Sequence, residues 1–203
     1  MATTQSEKNG FRIQLFAVVI GSLLLVAKFG AFFYTHSNTI FTDALESIVN
    51  VLTGCFALYS LHLSSKPKDF DHPYGHGKVE FISAGLEGIL IVLAGAGIIV
   101  KSCFAFFNPA QLEHLNMGII VIAVSGAVNF GLGMWLVRVG NANKSITLNA
   151  DGQHLKSDAY TSFGIIVGLV LIILTKLSVL DNVVAVALGC LLFTWALNWR
   201  ANQ

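Results

Sequence analysis

Apolar residues run along this chain in long blocks, separated by short polar breaks. The hydrocarbon core of a bilayer takes about 20 apolar residues of helix to cross, and six blocks meet that length: about 12–34, 40–63, 78–107, 115–139, 146–176 and 180–199. The breaks are turn-like. His36-Ser-Asn-Thr39 separates the first two blocks, Asn108-Pro109 ends the third and Gly140-Asn-Ala-Asn-Lys144 follows the fourth. The longest break, Ser64 to Gly77, contains two of the three prolines and two histidines; the remaining proline, Pro109, also lies in a connection. The pattern therefore predicts an all-α integral membrane protein of six transmembrane helices, with a polar tail at 1–11 and a short end at 200–203. The first block is too long for a signal-peptide core and lacks a small-residue cleavage site, so it is read as a true span.

The distribution of Lys and Arg orients the bundle. With the N-terminus in the cytoplasm, Lys8, Arg12, Lys66, Lys68, Lys78, Arg138, Lys144 and Arg200 fall inside, and Lys101 and Lys176 outside. Lys28 and Lys156 fall within spans. The expectation is a multi-pass protein with both termini cytoplasmic, in the inner (cell) membrane if the source is prokaryotic. The third span carries Ala84, Gly88 and Gly95, small residues that let another helix approach closely.

Composition agrees with this picture. The chain is 55% hydrophobic and 11% charged, against about a quarter charged in soluble domains. A net charge of +1 gives no electrostatic case for nucleic acid. Cys55, Cys103 and Cys190 show no CxxC spacing and read as small apolar fillers.

The chemistry lies in what interrupts the apolar blocks. The second span holds Glu46 and Asn50, and the fifth holds His154 and Asp158. Residues four apart share one face of a helix, so two facing helices could present Glu, Asn, His and Asp to one ion. Asp43 sits on nearly the same face as Glu46, and Asp151 lies one turn before His154. Each ionised side chain costs about 2.5–3.5 kcal/mol at mid-bilayer. A bound dication, or protons, offsets that cost. Nitrogen and oxygen donors without thiolate suit zinc, and also manganese and iron. His154 titrates nearest neutrality and is the candidate proton carrier. Interhelical hydrogen bonding between protonated carboxyls is the alternative reading of the same residues. The polar break offers a second candidate site, with Asp69, His72 and His76 in a glycine-bent turn.

These residues together resemble the cation diffusion facilitator transporters, which include zinc exporters. The resemblance covers almost the whole chain. It rests on six spans, on Thr42-Asp-Ala-Leu-Glu46 with Asn50, on His72-Pro-Tyr-Gly-His-Gly-Lys78, and on His154-Leu-Lys-Ser-Asp158. It implies a homodimeric metal/proton antiporter working by alternating access, with no prosthetic group. The family's transport site falls on Glu46, Asn50, His154 and Asp158, and its loop site on Asp69, His72 and His76. Zinc exporters usually carry Asp or His followed by Asp in the second span; here Glu46 is followed by Asn50, one negative charge fewer.

The family usually continues into a cytoplasmic domain after the sixth span, and this sequence stops at Gln203. Lys78 matches a lysine that in relatives salt-bridges the dimer halves to that domain. Without it the third span is the expected dimer contact. The expected function is export of a divalent cation in exchange for protons. Zinc leads the candidates, followed by iron, manganese, cobalt and cadmium. The ion would load from the cytoplasm between the second, third, fifth and sixth spans. The rivals are a membrane metal sensor that does not translocate, and a subunit whose polar pairs only join helices. No nucleophile is paired with a base, so an enzyme is not expected.

Overall fold

Helix accounts for nearly all of the described chain. The computed structural model describes residues 2–64, 79–105, 112–177, 179–188 and 190. Within them run α1 (Ala2–Thr35), α2 (Asn38–Ser64), α3 (Val79–Ala105), α4 (Leu115–Asn143) and α5 (Ile146–Thr175), followed by α6 (Val179–Leu188). Each lies on one of the six apolar blocks. Four of them, Gly10–Thr35, Asn38–Leu63, Leu115–Asn143 and Ile146–Thr175, are long and apolar enough to cross a membrane. The main departure from the sequence pattern is at the start. The polar tail continues α1 without a break, because Ala, Gln, Glu and Lys are good helix formers and no proline intervenes.

The turns are short and closed by polar groups. Between α4 and α5 only Lys144 and Ser145 intervene. Lys144 takes the left-handed conformation that ends α4, and the Ser145 side chain accepts from the Leu148 amide to start α5. At the other end, α1 stops at His36, also left-handed (φ 55°). The start of α2 is capped from two directions. The Ile40 amide donates to Ser37 Oγ at 3.3 Å. The Asn38 and Thr39 amides donate to the Asp181 carboxylate of α6 at 2.5 and 3.2 Å. Ser37 Oγ donates to the same carboxylate, and Asn38 Nδ2 donates to Asn182 Oδ1 at 2.8 Å. An anionic side chain at a helix N-terminus meets both the orphan amides and the positive end of the dipole. Thus α6 holds the helix that carries Glu46 and Asn50.

The closest packing is between α4 and α5, and it depends on glycine. A Cβ at Gly133 would lie 2.7 Å from Gly152 O, one at Gly140 2.7 Å from Asn149 N, and one at Gly152 2.7 Å from Val137 N. These are backbone atoms, which cannot rotate aside. Gly126, Gly133 and Gly140 recur every seven residues, so they form one seam along α4. The seam, rather than the small residues of the third span, sets the tightest helix pair among the described residues.

Apolar packing among the described residues forms two larger clusters along the bundle and a small one of Val49 with Leu90, Val92 and Ala94. One of the larger two joins Ala31, Ile40, Ile122, Ile165, Leu169 and Ile172, toward the end where α1 meets α2. The other joins Ala17, Leu132, Leu136, Leu148 and Leu155, toward the end where α4 meets α5. Outward faces are apolar and exposed, as at Phe16, Leu23, Val26, Phe163 and Leu174, which suits contact with lipid. Cys55, Cys103 and Cys190 also lie on outward faces. They are not core fillers; in a membrane protein the apolar environment lies outside as well as inside, so apolar character does not place a residue in the core.

Candidate functional site

Between the two larger apolar clusters the helices turn polar side chains inward. On α2, Asp43, Glu46 and Asn50 follow at spacings of three and four and form one inward stripe. On α5, His154, Asp158 and Ser162 do the same. At about 1.5 Å of rise per residue, Glu46 lies about 12 Å below the start of α2 and His154 about 12 Å above the start of α5. The helices run antiparallel, so the two stripes meet near mid-depth.

Asn50 is the link between the helices. Its Nδ2 donates to Asp158 Oδ2, and its Oδ1 lies 2.8 Å from His154 Nε2. Asn50 Oδ1 accepts from His154 in the tautomer that carries a proton on Nε2. His154 Nε2 also lies 3.5 Å from Asp158 Oδ1, the one-turn contact set by their i,i+4 spacing. Glu46 faces Asp158 within side-chain hydrogen-bonding reach. Its Oε1 is buried without a hydrogen-bond partner among the described residues. Glu46, His154 and Asp158 are 5%, 3% and 3% exposed. The four residues aligned by the resemblance are thus brought together.

Among the described residues, no three His, Cys, Asp or Glu side chains form a metal-holding group by themselves. Asn50 engages both the histidine and the carboxylate. A groove of about 490 Å³ between α4 and α5, lined by Ile122, Phe130, Tyr160, Phe163 and Ile166 among others, is almost wholly apolar and contains none of the four. Asp69, His72, His76 and Lys78 lie outside the described residues.

Two partners were not anticipated from the sequence, and both come from α1. Lys28 Nζ lies 2.8 Å from Asp43 Oδ2, with both side chains 1% exposed. Gln14 Nε2 donates to Asp151 Oδ2 at 2.6 Å and lies 3.5 Å from the Gly54 carbonyl. The available signal was cost: a lysine in the middle of an apolar span needs a partner, and the spare carboxylates lay in other spans. Asp43 is completed by Ser162, whose hydroxyl donates to its Oδ1 at 3.4 Å. Lys156 is half-buried and reaches Gln153 Oε1 at 3.5 Å, away from the His154/Asp158 stripe.

The chain is similar to known membrane proteins. Residues 15–199 match the family described as the cation efflux transmembrane domain. An uncharacterized transporter of Synechocystis, sll1263, is 38% identical over 162 residues, 80% of this chain and 52% of that protein. The manganese efflux system protein MneP of Bacillus subtilis is 24% identical over 84% of this chain and 57% of its own length. The zinc transporter ZitB of Pectobacterium atrosepticum is 21% identical over 96% and 61%. The chain spans about half to three-fifths of the length of these relatives. Since the family match covers nearly the whole bundle that assembles the buried α2–α5 cluster, this chain belongs to the cation efflux family of membrane transporters.

Proposed function

We propose that this protein moves a divalent metal cation across the membrane in exchange for protons, by alternating access to a site made of Glu46, Asn50, His154 and Asp158. The observation that carries the reading is the junction of Asn50 with His154 and Asp158, buried at mid-depth and faced by Glu46. Nothing in lipid solvates such a group, and hydrogen bonding among the described residues leaves a Glu46 oxygen without a partner. A cation supplies the missing interaction for Glu46 and displaces the Asn50 contacts. Protons supply it in the other state. The same oxygens and ring nitrogen cannot hold both at once, and that exclusion couples the two fluxes.

The donor set is one imidazole, two carboxyls and one amide oxygen. It suits zinc, manganese, iron, cobalt and cadmium, and it offers no thiolate for soft Cu(I). Relatives named for manganese and for zinc both fit that range. His154 is the group best suited to carry a proton near neutrality. With the orientation given by the Lys and Arg bias, export runs from the cytoplasm outward. We further infer a homodimer using α3, whose Leu93, Val100 and Phe104 remain exposed, and a loop metal site at Asp69, His72 and His76.

The test is metal uptake into proteoliposomes holding the purified protein. Vesicles with an acidic interior should accumulate at least one of zinc, manganese, iron, cobalt or cadmium above its outside concentration. Collapsing the pH gradient with a protonophore should remove the accumulation. If none of the five ions moves faster than in empty vesicles, the proposal is wrong.

A further inference from the structure

Lys28 is the feature that the four-residue site does not use. Its ammonium is buried about two turns before the end of α1, on a helix whose other faces are largely apolar, and it pairs with Asp43 at 2.8 Å. Stability does not account for such a pair. A lysine within the hydrocarbon is costly, and apolar replacement of a buried ion pair is often neutral or stabilising. The pair is also not isolated. Lys28 lies within electrostatic reach of both Glu46 and Asp158.

The contacts of Asp43 show what the lysine does. One carboxylate oxygen is held by Lys28 and the other by the Ser162 hydroxyl. Asp43 sits one turn from Glu46, near enough to compete as a ligand, yet both its oxygens are engaged. The cluster therefore holds three carboxylates (Asp43, Glu46 and Asp158) and one ammonium. With all three carboxyls ionised, two negative charges remain, which is what one dication neutralises. Asp151, a turn toward the other end, has its own partner in Gln14.

We propose that Lys28 is a specificity-determining counter-charge of the cation site. By holding Asp43 it keeps that carboxylate out of the ligand set, and it sets the site's charge to match a single divalent ion. This rests on the reading of Glu46, Asn50, His154 and Asp158 as the transport site. The matching matters for release as much as for binding. A site with three uncompensated negative charges grips a dication more tightly and lets it go more slowly.

The experiment measures manganese and cadmium binding by calorimetry, and uptake kinetics in proteoliposomes, for wild type, Lys28→Gln, Lys28→Arg and the double variant Lys28→Gln/Asp43→Asn. Lys28→Gln leaves one more negative charge beside the ion. The expected result is a Kd about tenfold or more tighter, a lower KM and a slower turnover. Lys28→Arg keeps the charge and should restore the wild-type balance of KM and kcat. The double variant removes both charges and should bring Kd back to within about threefold of wild type.

A folded Lys28→Gln protein with unchanged or weaker affinity overturns the proposal, as does a double variant that stays shifted. If Lys28→Gln alone does not fold, the double variant, which leaves no unpaired charge, decides. Affinity within threefold supports the counter-charge, and a larger departure refutes it. The two readings separate cleanly. If wild type neither binds nor moves any dication, the transport reading fails. If wild type transports, Asp158→Ala does not, and Lys28→Gln keeps the wild-type Kd, only the counter-charge fails.

Discussion

Replacing Gly152 by alanine should loosen the site from a distance. The added Cβ would meet Val137 N at 2.7 Å, Gly133 O at 2.9 Å and Leu136 Cβ at 2.9 Å. Two of these are backbone atoms of α4, so no side-chain rotation relieves the clash. Ordinary contact needs about 3.5 Å, and α5 must therefore shift away by about 0.5–0.8 Å. Overpacking of this kind costs about 1–3 kcal/mol, offset by about 1 kcal/mol of helix propensity gained on replacing glycine. Gly131→Ala and Gly164→Ala supply the controls. They lie on the same two helices, face open space, and keep the propensity gain without the clash. Equilibrium unfolding in mixed micelles, followed by circular dichroism, should place Gly152→Ala about 1–3 kcal/mol below either control. His154 follows Gly152 by two residues, so the shift also stretches the 2.8 Å contact to Asn50, and metal affinity should fall about tenfold. Equal stability of Gly152→Ala and Gly164→Ala would refute the reasoning, because the seam would then not be in contact.

Three further outcomes are expected. Asp181→Ala removes the acceptor shared by Ser37 Oγ and the Asn38 and Thr39 amides; thermal denaturation should show a loss of about 2–4 kcal/mol, and Asp181→Asn about half of it. Gln14→Leu strips Asp151 of its 2.6 Å donor and should cost about 1–3 kcal/mol in unfolding experiments, since a buried carboxyl is left unsatisfied. Asn50→Asp adds a carboxylate where the amide now engages Asp158 and His154. In metal-competition uptake it should tighten zinc binding and shift the order of preference among the five ions.

Much of this architecture was legible in the chain. The apolar blocks place the six helices because length and hydropathy are local properties, and the i,i+4 pairs Glu46/Asn50 and His154/Asp158 identify inward faces because their cost in lipid is also local. What escaped is what depends on how distant helices meet. Lys28 and Asp43 pair across fifteen residues, and Gln14 and Asp151 across 137; neither follows from spacing. Asp181 caps α2 from α6 because a helix start accepts any nearby carboxylate, and the sequence does not say which is near. Small residues cluster in the third span. The tight seam is on α4, where single glycines recur every seven residues between larger neighbours. The outward position of the cysteines does not follow from their apolar character, because in a bilayer both the core and the outer surface are apolar.

The central claim is that the buried α2–α5 cluster is where the cation sits during transport. Uptake of manganese and cadmium into proteoliposomes with an acidic interior, wild type against Asp158→Ala at matched reconstitution, tests it most directly. The account predicts that wild type accumulates metal and that Asp158→Ala falls at least about a hundredfold, to the level of empty vesicles. Undiminished uptake by a folded Asp158→Ala protein would contradict it and place the pathway elsewhere in the bundle.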